Sequence, residues 1–400
     1  MSGILGRLVG SQLKARNLAP IDVHQVETNP DRRARRLKHL LKANHINYSI
    51  VFDDSLFVNH NPHLLGAAYL LGATVDQLHA LYEAEIRHLE PWSPSPAEIV
   101  DLDWQDFLGD KRYQRAYVDF FEDKLAMTFA YDWKQEVEHF LFKAGEAPLF
   151  HALIGGLGHP LVHLGYAYEM DCKEIAMEAL GLACLQHDFL QKYLDDVSYT
   201  RPSPFSSTSP MELLIRMSED RRFSQLPRSL HLDEIEAVFD KHQDLVMDYW
   251  NAWEIEDPVT QLRLSQEAAV SLLARPNVHA YNFYFVHLLT TSHAARVLLP
   301  LIPRQHHVTL LREWWLLAVM IFIMKGRPRP TSGTVDDDIG TKGWAYVEKE
   351  ALTSRWSKDA HYIKAIRAMR DAAKTWTDAD DGWYLKAAVA FVDGFEGWTY

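Results

Sequence analysis

An all-α fold is what this 400-residue sequence predicts. Three observations carry the expectation. Helix starts are written out as caps: Asn29-Pro30-Asp31 supplies a capping side chain, a proline for the first turn and an acid near the amino end. Thr74 with Gln77 three residues on forms a capping-box pattern. Apolar residues then recur at helical spacing, as in Leu78, Leu81, Tyr82, Ile86 and Leu89. The one stretch with strand character, NYSIVFDD from Asn47, is too short to carry a fold. The expected architecture is a single large multi-helical domain over 1–400, with histidine-bearing helices converging on a central site.

Taken in order, the first helix runs from Pro30 to about Asn44. A second spans His63 to Leu71 and stops at Gly72, and Thr74 opens a third. Pro91, Pro94 and Pro96 break the chain in a loop. Helices follow near 111–126, 133–144, 148–155, 160–170 and 173–194. SYTRPSPFSSTSP, Ser198 to Pro210, is a turn-rich link, either a domain boundary or a lid over a site. Helices resume near 211–218, 231–250, 257–274, 278–299 and 304–325, and a loop follows from Gly326. The last three are placed near 341–356, 359–375 and 381–395. The oily run Trp314 to Met324 is 11 residues long. A membrane span needs about 20, so it reads as a buried core helix.

Charge and motif content narrow the function. A formal net charge of −13 argues against nucleic acid and against anionic lipid as partners, since both reward lysine and arginine. Cys172 and Cys184 are the only cysteines, too few for a metal cluster or a disulfide scaffold. With no targeting segment in MSGILGRLVGSQLKARN, a reducing, cytoplasmic setting is expected. GGLG and GTKG lack the strand–turn–helix context of a dinucleotide loop, and no GxSxG or HExxH occurs.

The chain holds 20 histidines, and several fall in repeated settings. In FVNHNPHLLGAAYLLGA, His60 lies just before a helix and His63 in its first turn. In GGLGHPLVHLGYAYE, Pro160 places His159 at a helix start and His163 four residues later on the same face. In NFYFVHLLTTSHAARVLLP, His287 and His293 sit on an apolar helix, with Thr290, Thr291 and Ser292 between them able to bond back to helix carbonyls. In DAHYIKAIRAM, His361 and Lys364 share a face of a partly buried helix. A buried lysine needs a partner or loses its charge; a salt bridge to Glu169 or Glu178 is one outcome, carboxylation of the amine another. A histidine-rich shell suits iron, copper, nickel or zinc. The alternative is that each histidine is a hydrogen-bonded packing residue. His39, His45, His79, His88, His187, His231 and His242 read as scattered surface or cap residues. Tyr166, Tyr168, Tyr281, Phe283, Tyr284, Phe285, Trp314 and Trp315 can line a pocket for a flat substrate or belong to the core.

NHNPHLLGAAYLLGA, GLGHPLVHLGYAYE, HLLTTSHAARVLLP, KGRP and HYIKAIRAM together resemble the questin oxidase-like family over roughly His60 to Lys364. The resemblance implies a helical oxidoreductase without a flavin-binding fold that oxidatively opens a ring of an aromatic polyketide or quinone, in a Baeyer–Villiger-like or dioxygenase-type reaction with molecular oxygen. It implies a non-haem iron centre (Fe2+/Fe3+), with NADPH as an electron donor. Carried over, the metal ligands are drawn from His60, His63, His163, His287, His293 and His361, with Lys364 as a modified, carboxylated lysine and Lys325 as its alternative. His163, His287 and Lys364 take the catalytic roles. Tyr166, Tyr284, Trp314 and Arg296 form the substrate pocket, and Arg327 is a second candidate for a phenolate. Glu169 or Glu178 would hold imidazole N–H groups behind the metal. Two rivals stand beside this reading: a zinc-dependent hydrolase in the same shell, and a non-catalytic helical protein that binds a hydrophobic ligand.

Overall fold

Capping chemistry sets where the helices begin. Asp31 accepts from the backbone N–H groups of Arg33 and Ala34 and opens α1 (Arg32–Asn47). His60 is the N-cap of α2 (Asn61–Leu70), with Pro62 in its first turn. Thr74 and Gln77 close the expected capping box at the start of α3 (Val75–Glu85). The structure, a computed structural model, describes residues 18–53, 57–144, 148–227, 229–274, 281–330, 339–377 and 382–400. The amino-terminal stretch, 331–338 of the loop after Gly326, and the first residues of the helices expected at 278 and 381 lie outside the described residues.

Helices dominate the rest. They are α4 (Gln114–Met127), α5 (Trp133–Phe142), α6 (Gly155–Met170), α7 (Lys173–Leu185), α8 (Gln191–Asp195), α9 (Pro210–Glu219), α10 (Ile235–Lys241), α11 (Gln243–Asn251) and α12 (Pro258–Leu273). They continue with α13 (Phe283–Leu298), α14 (His307–Met324), α15 (Trp344–Thr353), α16 (Ala360–Thr375) and α17 (Trp383–Gly394). Strand content among the described residues is two two-residue pairs. Val51–Phe52 pairs antiparallel with Phe57–Val58, and Tyr281–Asn282 pairs parallel with Trp398–Thr399.

The chain divides into two compact units. The first comprises Pro20–Asp195 and Glu348–Arg367. Within it α7 is the axis, packing against α1, α4, α5 and α6, while α2 packs on α1, α3 and α6. The second comprises Met1–Ala19, Asp196–Val347 and Ala368–Tyr400. There α12, α13 and α14 pack on one another, with α9 and α11 against them. The turn-rich link over 198–210 follows directly on the boundary at Asp195, and its Ser207 bridges to Trp253 within the second unit.

Two expectations change in detail. The helix expected over 173–194 breaks after Leu185, because Asp188 accepts from Leu190 N–H and starts a new turn. The helix expected over 231–250 is interrupted at His242, which leaves the helical region between α10 and α11. The oily run Trp314–Met324 is the end of the 18-residue α14. With the turn before it, Arg304–Met324 is long and apolar enough to cross a membrane, yet Trp314 to Met324 are all buried within the unit, as a core helix requires. Cys172 and Cys184 are both buried free thiols.

One close approach fixes the entry to α6. A Cβ on Gly155 would lie 1.9 Å from the carbonyl oxygen of Gln186. Backbone cannot yield as a side chain does. Gly155→Ala is therefore expected to lower stability by about 3 kcal/mol or more, read as a fall in the urea midpoint at unchanged slope. An unchanged midpoint would show that the contact relaxes freely.

Candidate active site

The first unit gathers six of the sequence-predicted groups. Asn59 and Asn61 flank His60 and are buried: both donate to Asn44 Oδ1, at 3.0 and 3.1 Å, and Asn61 N–H donates to Asn59 Oδ1. This network pins the turn that aims His60. His159 is aimed by three consecutive left-handed residues, Gly156, Leu157 and Gly158, with φ of 53°, 63° and 78°. Two of the three are glycine, which takes that conformation without a Cβ penalty. The GGLG motif is thus a left-handed turn that ends at His159, with Pro160 following where right-handed helix begins. Gly66 leaves room for the Tyr166 ring, since a Cβ there would lie 2.8 Å from it. That ring stacks on His63 at 5.4 Å.

Two imidazoles meet edge to edge. His60 Nδ1 lies 2.5 Å from the Val58 carbonyl and His159 Nδ1 lies 2.5 Å from the Gly156 carbonyl. A carbonyl only accepts, so each Nδ1 carries the hydrogen, and a neutral ring then presents its lone pair at Nε2. Those two Nε2 atoms are 3.0 Å apart. Two bare lone pairs so close repel unless a positive charge sits against them. One ligand atom each from His60, His159 and His361 falls within 4.8 Å of the others, and the His60 and His361 ring centres are 4.6 Å apart. Two nitrogens each about 2.1 Å from one cation, at a right angle, would be about 3.0 Å apart. The three-histidine donor set fits a single divalent cation. Burial, reinforced by the charge of Lys364, drops His159 to about 3, which keeps its ring neutral at physiological pH.

A string of hydrogen bonds leads away from this cluster. Lys364 Nζ is 3.5 Å from His63 Nδ1, His63 Nε2 is 2.9 Å from His163 Nδ1, and His163 Nε2 is 2.8 Å from Glu178 Oε2. All four groups are buried. The other oxygen of Glu178 is 2.9 Å from His45 Nδ1, and His45 Nε2 is 3.0 Å from the half-exposed Glu122. Both ring nitrogens of His163 are engaged in the string. Burial forces His63 well below its ordinary value, with Lys364 adding to the effect.

Lys364 is sealed from solvent, and burial lowers its amine to about 7 against the pull of Asp359 and Glu85. Burial also raises Glu85 to about 7. The expected salt bridge to Glu169 or Glu178 is not what forms. Glu169 accepts from Arg367 at 2.6 Å, and Glu178 is taken by His45 and His163, so Glu178 alone of the two supports imidazole N–H groups.

The remaining predicted residues belong to the second unit. His287 Nδ1 bonds the Phe283 carbonyl, and Thr291 and Ser292 bond back to helix carbonyls as expected. His293 lies 3.5 Å from Asp371, and Arg296 donates to Thr375 at 3.0 Å. Trp314 donates its indole N–H to the Leu288 carbonyl. Tyr284 lies under Lys325, whose Nζ is 4.0 Å from the ring centre. A surface cleft of about 490 Å³ in this unit is lined by Pro204, Phe205, Arg216, Glu219, Asp220, Arg222 and Tyr249, none of them a predicted site residue.

Sequence reading missed His45 and Glu122. His45 was placed among the scattered histidines, yet it is buried between two carboxylates. Its helical spacing offered one signal: it follows Leu37, Leu40, Leu41 and Asn44 on the buried face of α1.

The pair makes stability depend on pH. Burial disfavours the charge on His45, but hydrogen bonds to Glu122 and Glu178 outweigh it and raise the ring from 6.5 to about 10. Burial likewise opposes ionisation of Glu178, and its bonds to His163 and His45 prevail, lowering it from 4.5 to about 2. The His45 contribution is complete below pH 6.5 and is lost as pH rises through 10. The Glu178 contribution is complete above pH 4.5 and is lost as pH falls toward 2. The unfolding free-energy gap between wild type and His45→Gln should therefore shrink between pH 6.5 and 10. A gap that stays level over that range would show that His45 is neutral.

The family model for questin oxidase-like proteins matches 57–369. A Baeyer–Villiger oxidase of Pestalotiopsis microspora is 25% identical, over 88% of this chain and 86% of its own. A Baeyer–Villiger oxidase of Emericella nidulans is 22% identical, over 89% and 85%. An oxidoreductase of Aspergillus parasiticus is 24% identical, over 89% and 77%. These names overturn the expected non-haem iron-dependent oxygenase and its iron cofactor: the similar enzymes are named for Baeyer–Villiger oxidation, not as iron oxygenases. The physical reason is that such an insertion is heterolytic. A peroxide oxygen adds to a ketone carbonyl and a carbon migrates to it, a step that requires no redox-active metal. The match over 57–369, most of the chain, makes this protein a member of the questin oxidase-like family.

Proposed function

We propose that this chain is an oxygenase that inserts one oxygen atom beside a ring carbonyl of an aromatic polyketide or quinone-like substrate. The bond between the carbonyl carbon and its ring neighbour breaks, and each of those carbons bonds to the inserted oxygen. The second atom of dioxygen leaves as water with two electrons and two protons, from a reduced nicotinamide and solvent. The resulting lactone opens on hydrolysis. The observation that carries this reading is the part-buried cluster in which Nε2 of His60 and Nε2 of His159 converge with His361, three residues before the buried Lys364, whose amine burial lowers to about 7. The names of the similar enzymes supply the reaction class.

His60, His159 and His361 would hold a divalent cation, whose chemistry there is to polarise a substrate carbonyl as a Lewis acid. Lys364, near 7, gains and loses a proton at Nζ in the working range of pH. Its free amine also meets the condition for carboxylation by carbon dioxide, which would make it an anionic oxygen donor. His63 faces it from Nδ1 and is backed by His163, and Tyr166 forms a flat wall against His63.

The test is turnover of hydroxylated anthraquinones with NADPH under isotopically heavy dioxygen. The expected product carries one heavy oxygen. Lys364→Met and His159→Ala should each lower kcat by about 100-fold or more, with circular dichroism unchanged. Two heavy atoms in the product, or turnover without oxygen uptake as a hydrolase would show, would overturn the proposal.

A further inference from the structure

The string from Lys364 to Glu122 has a direction, and its direction is set at the end farthest from Lys364. Carboxylate oxygens accept and do not donate. His45 has one on each ring nitrogen, Glu178 at 2.9 Å and Glu122 at 3.0 Å, so both nitrogens carry hydrogen and the ring is an imidazolium. Glu122 is itself backed by Arg115 at 3.9 Å. With its Oε1 occupied by this cation, Glu178 stays an acceptor on Oε2. His163 must then donate from Nε2, which leaves its Nδ1 bare. His63 must donate from Nε2 into that lone pair, which leaves its own Nδ1 bare and facing Lys364 Nζ. Every hydrogen in the string points from Lys364 toward Glu178. The opposite arrangement satisfies the same distances: Glu178 donating to His163, His163 to His63, and His63 to the lone pair of Lys364.

We propose that His45 is a positioning residue for the histidine chamber: its buried cationic ring, clamped between Glu122 and Glu178, selects the first arrangement and so gives His63 the tautomer that accepts from Lys364. It acts through Glu178 and His163 and touches no substrate. The inference rests on the chamber as the reaction site only for its consequence in turnover; the tautomers themselves are observable without substrate.

The experiment is long-range nitrogen–proton correlation NMR of the full-length protein labelled with heavy nitrogen in histidine, at pH 7.5. Wild type is expected to show His45 with two protonated nitrogens, and His63 and His163 each protonated at Nε2 and bare at Nδ1. In Glu178→Gln the amide oxygen stays on the His45 cation, and the NH2 turns to His163. Both downstream rings should then exchange to the Nδ1–H form. In His45→Gln the imidazolium signals vanish and the downstream rings become a mixture. A merely structural role for His45 would leave the tautomers of His63 and His163 untouched. A neutral His45, or a wild-type His163 bare at Nε2, would overturn the proposal, and this result needs no variant to fold. Unchanged downstream tautomers in folded Glu178→Gln would also overturn it. In turnover, Glu178→Gln should lower kcat and leave KM in place. Exchanged tautomers with unchanged kcat would support the positioning arm and refute the chamber as the reaction site.

Discussion

A carboxylate sealed inside an apolar layer is tolerable only when donors meet both of its oxygens. Glu178 is that carboxylate, on a helix whose buried neighbours are Ile175, Met177, Leu180 and Leu182. α7 touches α1 on one side and α6 on another, which brings His45 to one oxygen and His163 to the other. Remove the carboxylate and two buried imidazoles lose their shared acceptor. The hydrogen-bond directions of His163, His63 and Lys364 follow from it in turn.

The second constraint is local backbone geometry. A non-glycine residue in the left-handed region costs about 1–2 kcal/mol, and Leu157 sits there between two glycines. Such strain is kept where surrounding structure holds it. Here it places the Gly156 carbonyl against His159 Nδ1 and leaves Nε2 toward His60. On the other side of the pair, the buried asparagines around His60 do the same work with side chains.

Much of this was legible in the sequence. Caps and apolar spacing placed nearly every helix of the described residues, because those signals are local. Asn61-Pro62 and His159-Pro160 announced helix starts, and both histidine pairs fell where expected. The pairing of His60 with His159, 99 residues apart, was legible only as a shared pattern. His45 was not legible as a site residue. Nothing within its own helix shows that Glu122 and Glu178 approach it, since those contacts span 77 and 133 positions. The choice of Glu178 over Glu169 as the supporting acid was equally hidden, decided by Arg367 claiming the latter. The histidine-rich shell left iron, copper, nickel and zinc open, the choice of iron came from the resemblance, and the names of the similar enzymes corrected it.

The first unit is closed by a late piece of chain. Pro20–Asp195 supplies His60, His63, His159 and His163 to the chamber, and Glu348–Arg367 supplies His361 and Lys364. Lys364 meets His63 across 301 positions. Contacts of such separation form slowly, since the intervening chain must be gathered first. During synthesis the whole of Asp196–Val347 emerges before the lysine does. A nascent or truncated chain that stops short of Glu348 thus carries His63, His163 and Glu178 but neither His361 nor the amine of Lys364. Completion of the chamber reports that synthesis has passed Lys364.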